Sequence, residues 1–235
     1  MKKNYSRIIL CLFGLLFLLG TACSKDENDS PITFAYASDV FEVEFRSTVT
    51  LQAPIMEWPG DKGSFYLKED LEGLSINQNT GAIEIERHLP AGTHEIVVNA
   101  ISGEKSWETS FELNNVLKNS FWSGGQNNDT TSQEIEYNRQ FWLFEDGTLE
   151  VEIIGQADSK GVGTWSIEGN IFSMHFCTYC QDANPLDIPS SDEHGYYEGV
   201  LTNESLIASI SGQWYVIRFD PDSTQLRGNF YLEWD

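Results

Sequence analysis

From residue 33 onward the chain alternates apolar and polar side chains in short runs broken by turn residues, and that rhythm restricts it to sheets. Phe41, Val43 and Phe45 interleave with Glu42 and Glu44, so three large apolar groups share one face of a strand. In a later run Ile96 and Val98 oppose Glu95, Val97 and Asn99, and Trp107, Thr109, Phe111 and Leu113 line one face of the run after it. Asn79-Thr80-Gly81 and Leu89-Pro90-Ala91-Gly92 read as turns between runs. Short strands at intervals of about 8–12 residues predict a β-sandwich over residues 33–116.

The second half keeps the alternation and changes its cadence. Runs 139–144 and 148–154 flank Glu145-Asp146-Gly147, and runs 163–167 and 171–176 flank Glu168-Gly169-Asn170, both Gly-centred hairpin signals. Runs 196–201 and 206–210 flank Thr202-Asn203-Glu204-Ser205, and runs 213–219 and 226–234 are joined across Asp220-Pro221-Asp222-Ser223. With a first strand over 119–124 this makes eight or nine strands, each hairpinned to the next, and no helix. Sequential hairpins close best as an up-and-down antiparallel β-barrel, which is expected over residues 117–235. The segment 117–120 is the expected boundary, exposed to proteolysis together with the long loop 181–195.

Two resemblances attach to these halves. Gly73-Leu74-Ser75-Ile76-Asn77-Gln78-Asn79-Thr80-Gly81-Ala82-Ile83, followed by Leu89-Pro90-Ala91-Gly92-Thr93-His94-Glu95-Ile96-Val97-Val98-Asn99-Ala100, resembles the Ig-like and cadherin-like repeats of bacterial surface proteins. That resemblance implies an Ig-like/cadherin-like β-sandwich acting as a spacer or interaction platform. Asn119-Ser120-Phe121-Trp122-Ser123-Gly124, Phe144-Glu145-Asp146-Gly147-Thr148-Leu149, Gly163-Thr164-Trp165-Ser166-Ile167 and Gly228-Asn229-Phe230-Tyr231-Leu232 resemble lipocalin-like domains of surface lipoproteins. This second resemblance implies a lipocalin-like barrel that binds a small ligand or a glycan, and it carries over no functional residue.

The N-terminus has the layout of a secretory signal peptide: Lys2, Lys3 and Arg7, an apolar run over 8–20, then Thr21 and Ala22. The run is shorter than the roughly 20 residues a spanning helix needs. Leu19-Gly20-Thr21-Ala22-Cys23 resembles a bacterial lipobox, which implies cleavage after residue 22 and acylation of Cys23. Each buried CH₂ of its acyl chains, palmitate among them, contributes about 0.8 kcal/mol to anchoring. Ser24-Lys25-Asp26-Glu27-Asn28-Asp29 resembles the export signal of Bacteroidetes-type surface lipoproteins. Residues 23–32 also read simply as a solvated acidic tether. The expected partner at this end is the membrane, through the lipid, and the expected location is the outer membrane with exposure on the cell surface.

Charge narrows the partners. The 235 residues hold 14 Lys and Arg against 36 Asp and Glu, a formal charge of −22. Loss of residues 1–22 removes three basic residues and no acid, which takes the charge to −25. Such a surface argues against nucleic acid and against charge-driven docking on anionic lipid headgroups.

Three stretches hold candidate sites. Cys177 and Cys180 remain once Cys11 and Cys23 are set aside, at the end of His175-Phe176-Cys177-Thr178-Tyr179-Cys180. In an envelope compartment a disulfide is the expectation, with free thiols and metal as alternatives. A zinc site would want a further ligand pair, and His194 alone is a poor one. Five of the seven tryptophans lie beyond residue 117. Of these, Trp122, Trp142, Trp165 and Trp214 are candidates to line a ligand cavity, against the alternative that barrel interiors are packed with such rings. The loop 181–195, with Asp182, Asp187, Asp192, Glu193, His194, Pro185 and Pro189, is long enough to be functional, although its spacing is not that of a calcium loop. Asp220 and Asp222 read as turn residues. Hydrolase, metalloprotease and phosphate-binding motifs are absent, so no catalytic residue, cofactor or metal is assigned. The expectation is non-catalytic binding of a small apolar molecule or glycan in the barrel, with a structural or adhesive role in a surface assembly next and an unrecognised hydrolase third.

Overall fold

The structure, a computed structural model, describes residues 33–156, 159–180, 183–184, 186, 194–217 and 225–234. Every regular element among them is a strand. In the first half these are β1 (Phe34–Ala35), β2 (Val40–Glu44), β3 (Val49–Leu51), β4 (Ile55–Met56), β5 (Ser64–Leu67), β6 (Leu74–Ile76), β7 (Ile83–Ile85), β8 (Gly92–Ser102) and β9 (Lys105–Val116). In the second half they are β10 (Ser120–Gln126), β11 (Tyr137–Leu143), β12 (Thr148–Ile153), β13 (Lys160–Glu168), β14 (Ile171–Cys177), β15 (His194–Asn203), β16 (Ala208–Ile217) and β17 (Gln225–Trp234).

The first half is a β-sandwich. A four-stranded sheet in the order β2-β9-β8-β5 faces a three-stranded sheet, β3-β7-β6, while β1 and β4 pair apart from both. The inward residues foreseen from alternation meet here: Val43, Ile96, Val98, Phe111 and Leu113 pack with Leu51, Ile83 and Ile85. The turn that carries the Ig-like resemblance is held by its own side chains. Asn77 Oδ1 accepts the backbone N–H groups of Asn79 and Thr80 at 3.0 and 3.1 Å. Gly81 takes φ = +79°, and the Tyr36 hydroxyl donates to its carbonyl at 2.7 Å. A Cβ on Gly81 would lie 2.7 Å from the Pro54 ring, so this turn demands glycine.

The second half is a closed barrel in which β10 to β17 pair in sequence order and β17 returns to β10, with Trp122 opposite Trp234. Closure leaves no free edge. Its strands number eight. The runs 206–210 and 213–219, read as two strands, are one: β16 crosses Ser211 and Gly212 without a turn. Ala208, Ile210, Trp214 and Val216 keep one inward face along it. Gly212 marks a close approach, since a Cβ there would sit 2.1 Å from the Glu198 carbonyl oxygen.

Three further expectations are corrected. Segment 117–120 is no exposed linker: Leu117 and Ser120 are buried, and Leu117 belongs to the barrel core. Phe45, read as part of the sandwich face, instead packs into the barrel, 5.4 Å from Trp234. His194 and Gly195, read as loop, open β15. The remaining loop residues singled out (Asp182, Pro185, Asp187, Pro189, Asp192 and Glu193) lie outside the described residues, as do Asp220, Asp222 and everything through residue 32, Cys23 included.

The sandwich closes one end of the barrel. Phe45, Leu117 and Ala91 join Trp122, Trp165 and Trp234 there. Arg46, in a left-handed conformation at φ = +63°, crosses the joint. Its guanidinium donates to Asn203 Oδ1 at 2.7 Å and to the carbonyls of Glu204 and Leu206. Asn203 in turn donates to the carbonyls of Arg87 and Leu89. The barrel above this seal is filled. Phe141, Phe172, Phe176, Tyr197 and Phe230 pack in its middle, and inward Gly195 and Gly199 leave the room that the Phe176 and Phe230 rings occupy.

Candidate ligand site at the barrel mouth

At the end away from the sandwich the filling stops short. A recess of about 390 Å³ opens there. It lies at the low end of the ~300–1,000 Å³ range of small-molecule sites. Its strand ends follow from topology: β10, β12, β14 and β16 finish at this level, and β11, β13, β15 and β17 begin. The base is apolar, formed by Phe176, Trp214 and Val216, all nearly inaccessible, with Ile153 on one wall.

Above the base lies a polar cluster. Arg139, Phe141 and Leu143 share the inward register of β11, which puts the arginine at the mouth end of an otherwise apolar face. Its Nε donates to Gln126 Oε1 at 2.9 Å and its Nη1 to Thr178 Oγ1 at 3.1 Å. The guanidinium carbon stands 5.6 Å from the centroid of the Phe176 ring, within cation–π range. The hydroxyl of Tyr197, fully buried, donates to the same Gln126 oxygen. Burial pushes this hydroxyl well above the ordinary tyrosine value against the opposing pull of Arg139, so it stays a neutral donor.

The rim is built by asparagines and a short bridge. Asn127, with no exposed surface, donates to the carbonyls of Ser132 and Glu134 and accepts the Asn229 N–H. Its own carbonyl accepts the Trp214 indole N–H. Cys177 and Cys180 form a disulfide with Cα atoms 5.5 Å apart. The tight turn it closes presents Thr178 to Arg139 and lets the Tyr179 hydroxyl donate to Gln156 Oε1 at 3.1 Å.

On the outer wall near the rim, His175 Nε2 lies 2.9 Å from His194 Nδ1. One ring donates and the other accepts. Burial first, and the neighbouring His194 second, hold the His175 pKa below the ordinary histidine value. Among the described residues no three His, Cys, Asp or Glu converge as a metal-binding group.

The four candidate tryptophans do not form one site. Trp214 lies at the base of the recess. Trp122 and Trp165 belong to the sealed end, where their indole N–H groups donate to Ser120 Oγ and the Phe144 carbonyl. Trp142 points outward, against Phe121 at 5.1 Å. The residues that alternation left unnoticed are Gln126, Arg139, Thr178 and Tyr197. A usable signal was present for Arg139: an arginine two and four positions before Phe141 and Leu143 on the same face. A wider crevice of about 660 Å³ follows the sandwich–barrel joint, but the Asn203 side chain that lines it is spent on the joint itself.

No protein-family pattern and no curated protein matches the chain. Among solved structures, it is similar to a chimeric titin Z1Z2 protein functionalised with a KLER exogenous peptide from decorin. That alignment covers 74% of this chain and 90% of the other at 17% identity, with a TM-score of 0.30, too low to support any inference.

Proposed function

We propose that the protein is a lipid-anchored binding protein of the bacterial outer membrane, exposed at the cell surface, that takes a small, largely apolar ligand at its barrel mouth. The observation that carries this reading is the recess of about 390 Å³ with an apolar base and a polar rim at the barrel end the sandwich leaves open. Buried rings below would take the apolar part of a ligand and a few placed donors would orient it, the usual division of labour in such sites. The resemblance to Bacteroidetes-type surface lipoproteins supports the anchor at Cys23 and the location. A glycan is the alternative ligand, stacked on Trp214. A structural or adhesive role is a second reading, favoured by how completely the middle of the barrel is filled.

A neutral apolar fluorophore tests the binding reading. N-phenyl-1-naphthylamine should bind saturably at one equivalent with micromolar affinity and quench tryptophan fluorescence. Thr178→Trp, which fills the recess, should abolish this, while Trp142→Phe on the outer wall should not. Absence of saturable binding, or binding indifferent to Thr178→Trp, would leave the structural reading in its place. The anchor is tested separately by fractionation: Cys23→Ser should move the protein from membranes to the soluble fraction, and retention would sink the lipoprotein reading.

A further inference from the structure

We infer that the ligand of this mouth carries a carboxylate and that Arg139 receives it. The inference rests on the binding reading above and narrows it to a class: small amphiphilic organic acids.

The chain has 36 acidic residues for 14 basic ones. Lys68, Lys118 and Lys160, all outside the recess, have a glutamate at 2.8, 2.7 and 4.0 Å respectively. Arg139, inside the recess, has no carboxylate within ion-pair distance among the described residues. Its partners are an amide oxygen, the hydroxyls of Thr178 and Tyr197, and a ring face, all neutral. A guanidinium in a partly closed, weakly screened site retains its charge, and neutral acceptors compensate it incompletely.

What remains on the guanidinium suits an acid. Nε and Nη1 are engaged by Gln126 and Thr178 and the Tyr197 hydroxyl also bonds the group, which leaves its charge without a carboxylate among the described residues. The planar fork matches the two oxygens of a carboxylate. Gln126 and the Phe176 ring hold the group in place beforehand, so little ordering is lost when an anion arrives. Directly below, Phe176, Trp214 and Val216 offer an apolar seat for the rest of the molecule. A cationic ligand would meet Arg139 at the entrance, and a purely apolar one would bury it without a counter-ion.

Displacement of N-phenyl-1-naphthylamine by octanoate and by its neutral isostere octanamide tests the inference on the full mature chain. Octanoate should displace the probe from the wild type about ten-fold more effectively than octanamide, as charge-assisted hydrogen bonds outweigh neutral ones. Arg139→Gln should bring the two within about two-fold of each other while still binding the neutral probe. Arg139→Lys, which keeps the charge but not the fork, should fall between. Equal displacement from the wild type would overturn the inference and leave the binding reading intact. A preference for octanoate that survives in Arg139→Gln would overturn it too, by placing the anion elsewhere. If the neutral probe itself fails to bind, both readings fall. Should Arg139→Gln not fold, the wild-type ratio and Arg139→Lys decide.

Discussion

The two ends of the barrel are made of the same alternating strands and have opposite characters. At the end facing the sandwich, Trp122, Trp165 and Trp234 meet Phe45, Leu117 and Ala91, and the indole N–H groups of Trp122 and Trp165 donate to nearby oxygens. At the other end the same inward registers deliver Gln126, Arg139, Thr178 and Tyr197 above a shallow apolar base. An antiparallel strand has one inward face but two ends, and each end can be assigned its own chemistry. Here one end contributes stability and coupling between the halves, while the other is left with donors and space. The sandwich is thus a stopper for the barrel.

If that division is correct, substitutions at the sealed end should cost more stability than those at the mouth. The largest effect is expected for Trp122→Ala, which empties a site with no exposed surface and strips Trp234 of its edge-to-face partner at 5.3 Å. A loss of about 3–5 kcal/mol in urea unfolding is expected; a loss under 1 kcal/mol would show that the end is not packed as described. Phe45→Ala should cost about 3 kcal/mol and also weaken the joint. Calorimetry should then resolve two transitions, and a single unbroken transition would contradict the coupling role.

Effects at the mouth should be smaller. Replacing both Cys177 and Cys180 by serine removes a bridge across a sequence separation of 3. Loop-closure entropy for so short a ring gives at most about 2 kcal/mol. The main effect should be faster amide exchange around Thr178, and mass spectrometry of unreduced, alkylated wild type should find no free thiol. Arg139→Gln should cost about 1 kcal/mol, the scale of hydrogen bonds to neutral partners, while changing ligand preference far more. The smallest effect is the pH dependence of the histidine pair. The folded state keeps His175 neutral below the pH at which an unfolded histidine, with a pKa of about 6.5, takes its proton. Protons therefore favour the unfolded chain: stability is full above that value and declines as pH falls below it, through the depressed folded value. His175→Gln should flatten this part of the profile, and an unchanged slope would assign it to carboxylates instead.

The hairpin cadence, the turns at Gly81 and Gly147, and the inward sets Ile96, Val98 and Phe111, Leu113 were all legible in the sequence. Period-2 alternation and glycine at positive φ are local requirements that a strand and its turn impose on a few neighbouring residues. Alternation alone does not say how far a strand runs, so Ser211-Gly212 looked like a break until Glu198 and Gly199 were seen to lie against it. Nor does it reveal that Phe45 buries itself in the other half, because that burial depends on Trp234, far along the chain. The same holds for the tryptophans. Four similar side chains became a base, two plugs and an outer-wall contact according to strand register and height in the barrel. What the sequence determined by itself was two sets of paired faces. Which face turned inward at which end, and so where an arginine came to lie with no acid beside it among the described residues, was decided only by closure of β10 onto β17 and by the sandwich seated beneath, since burial is a property of the assembled surface.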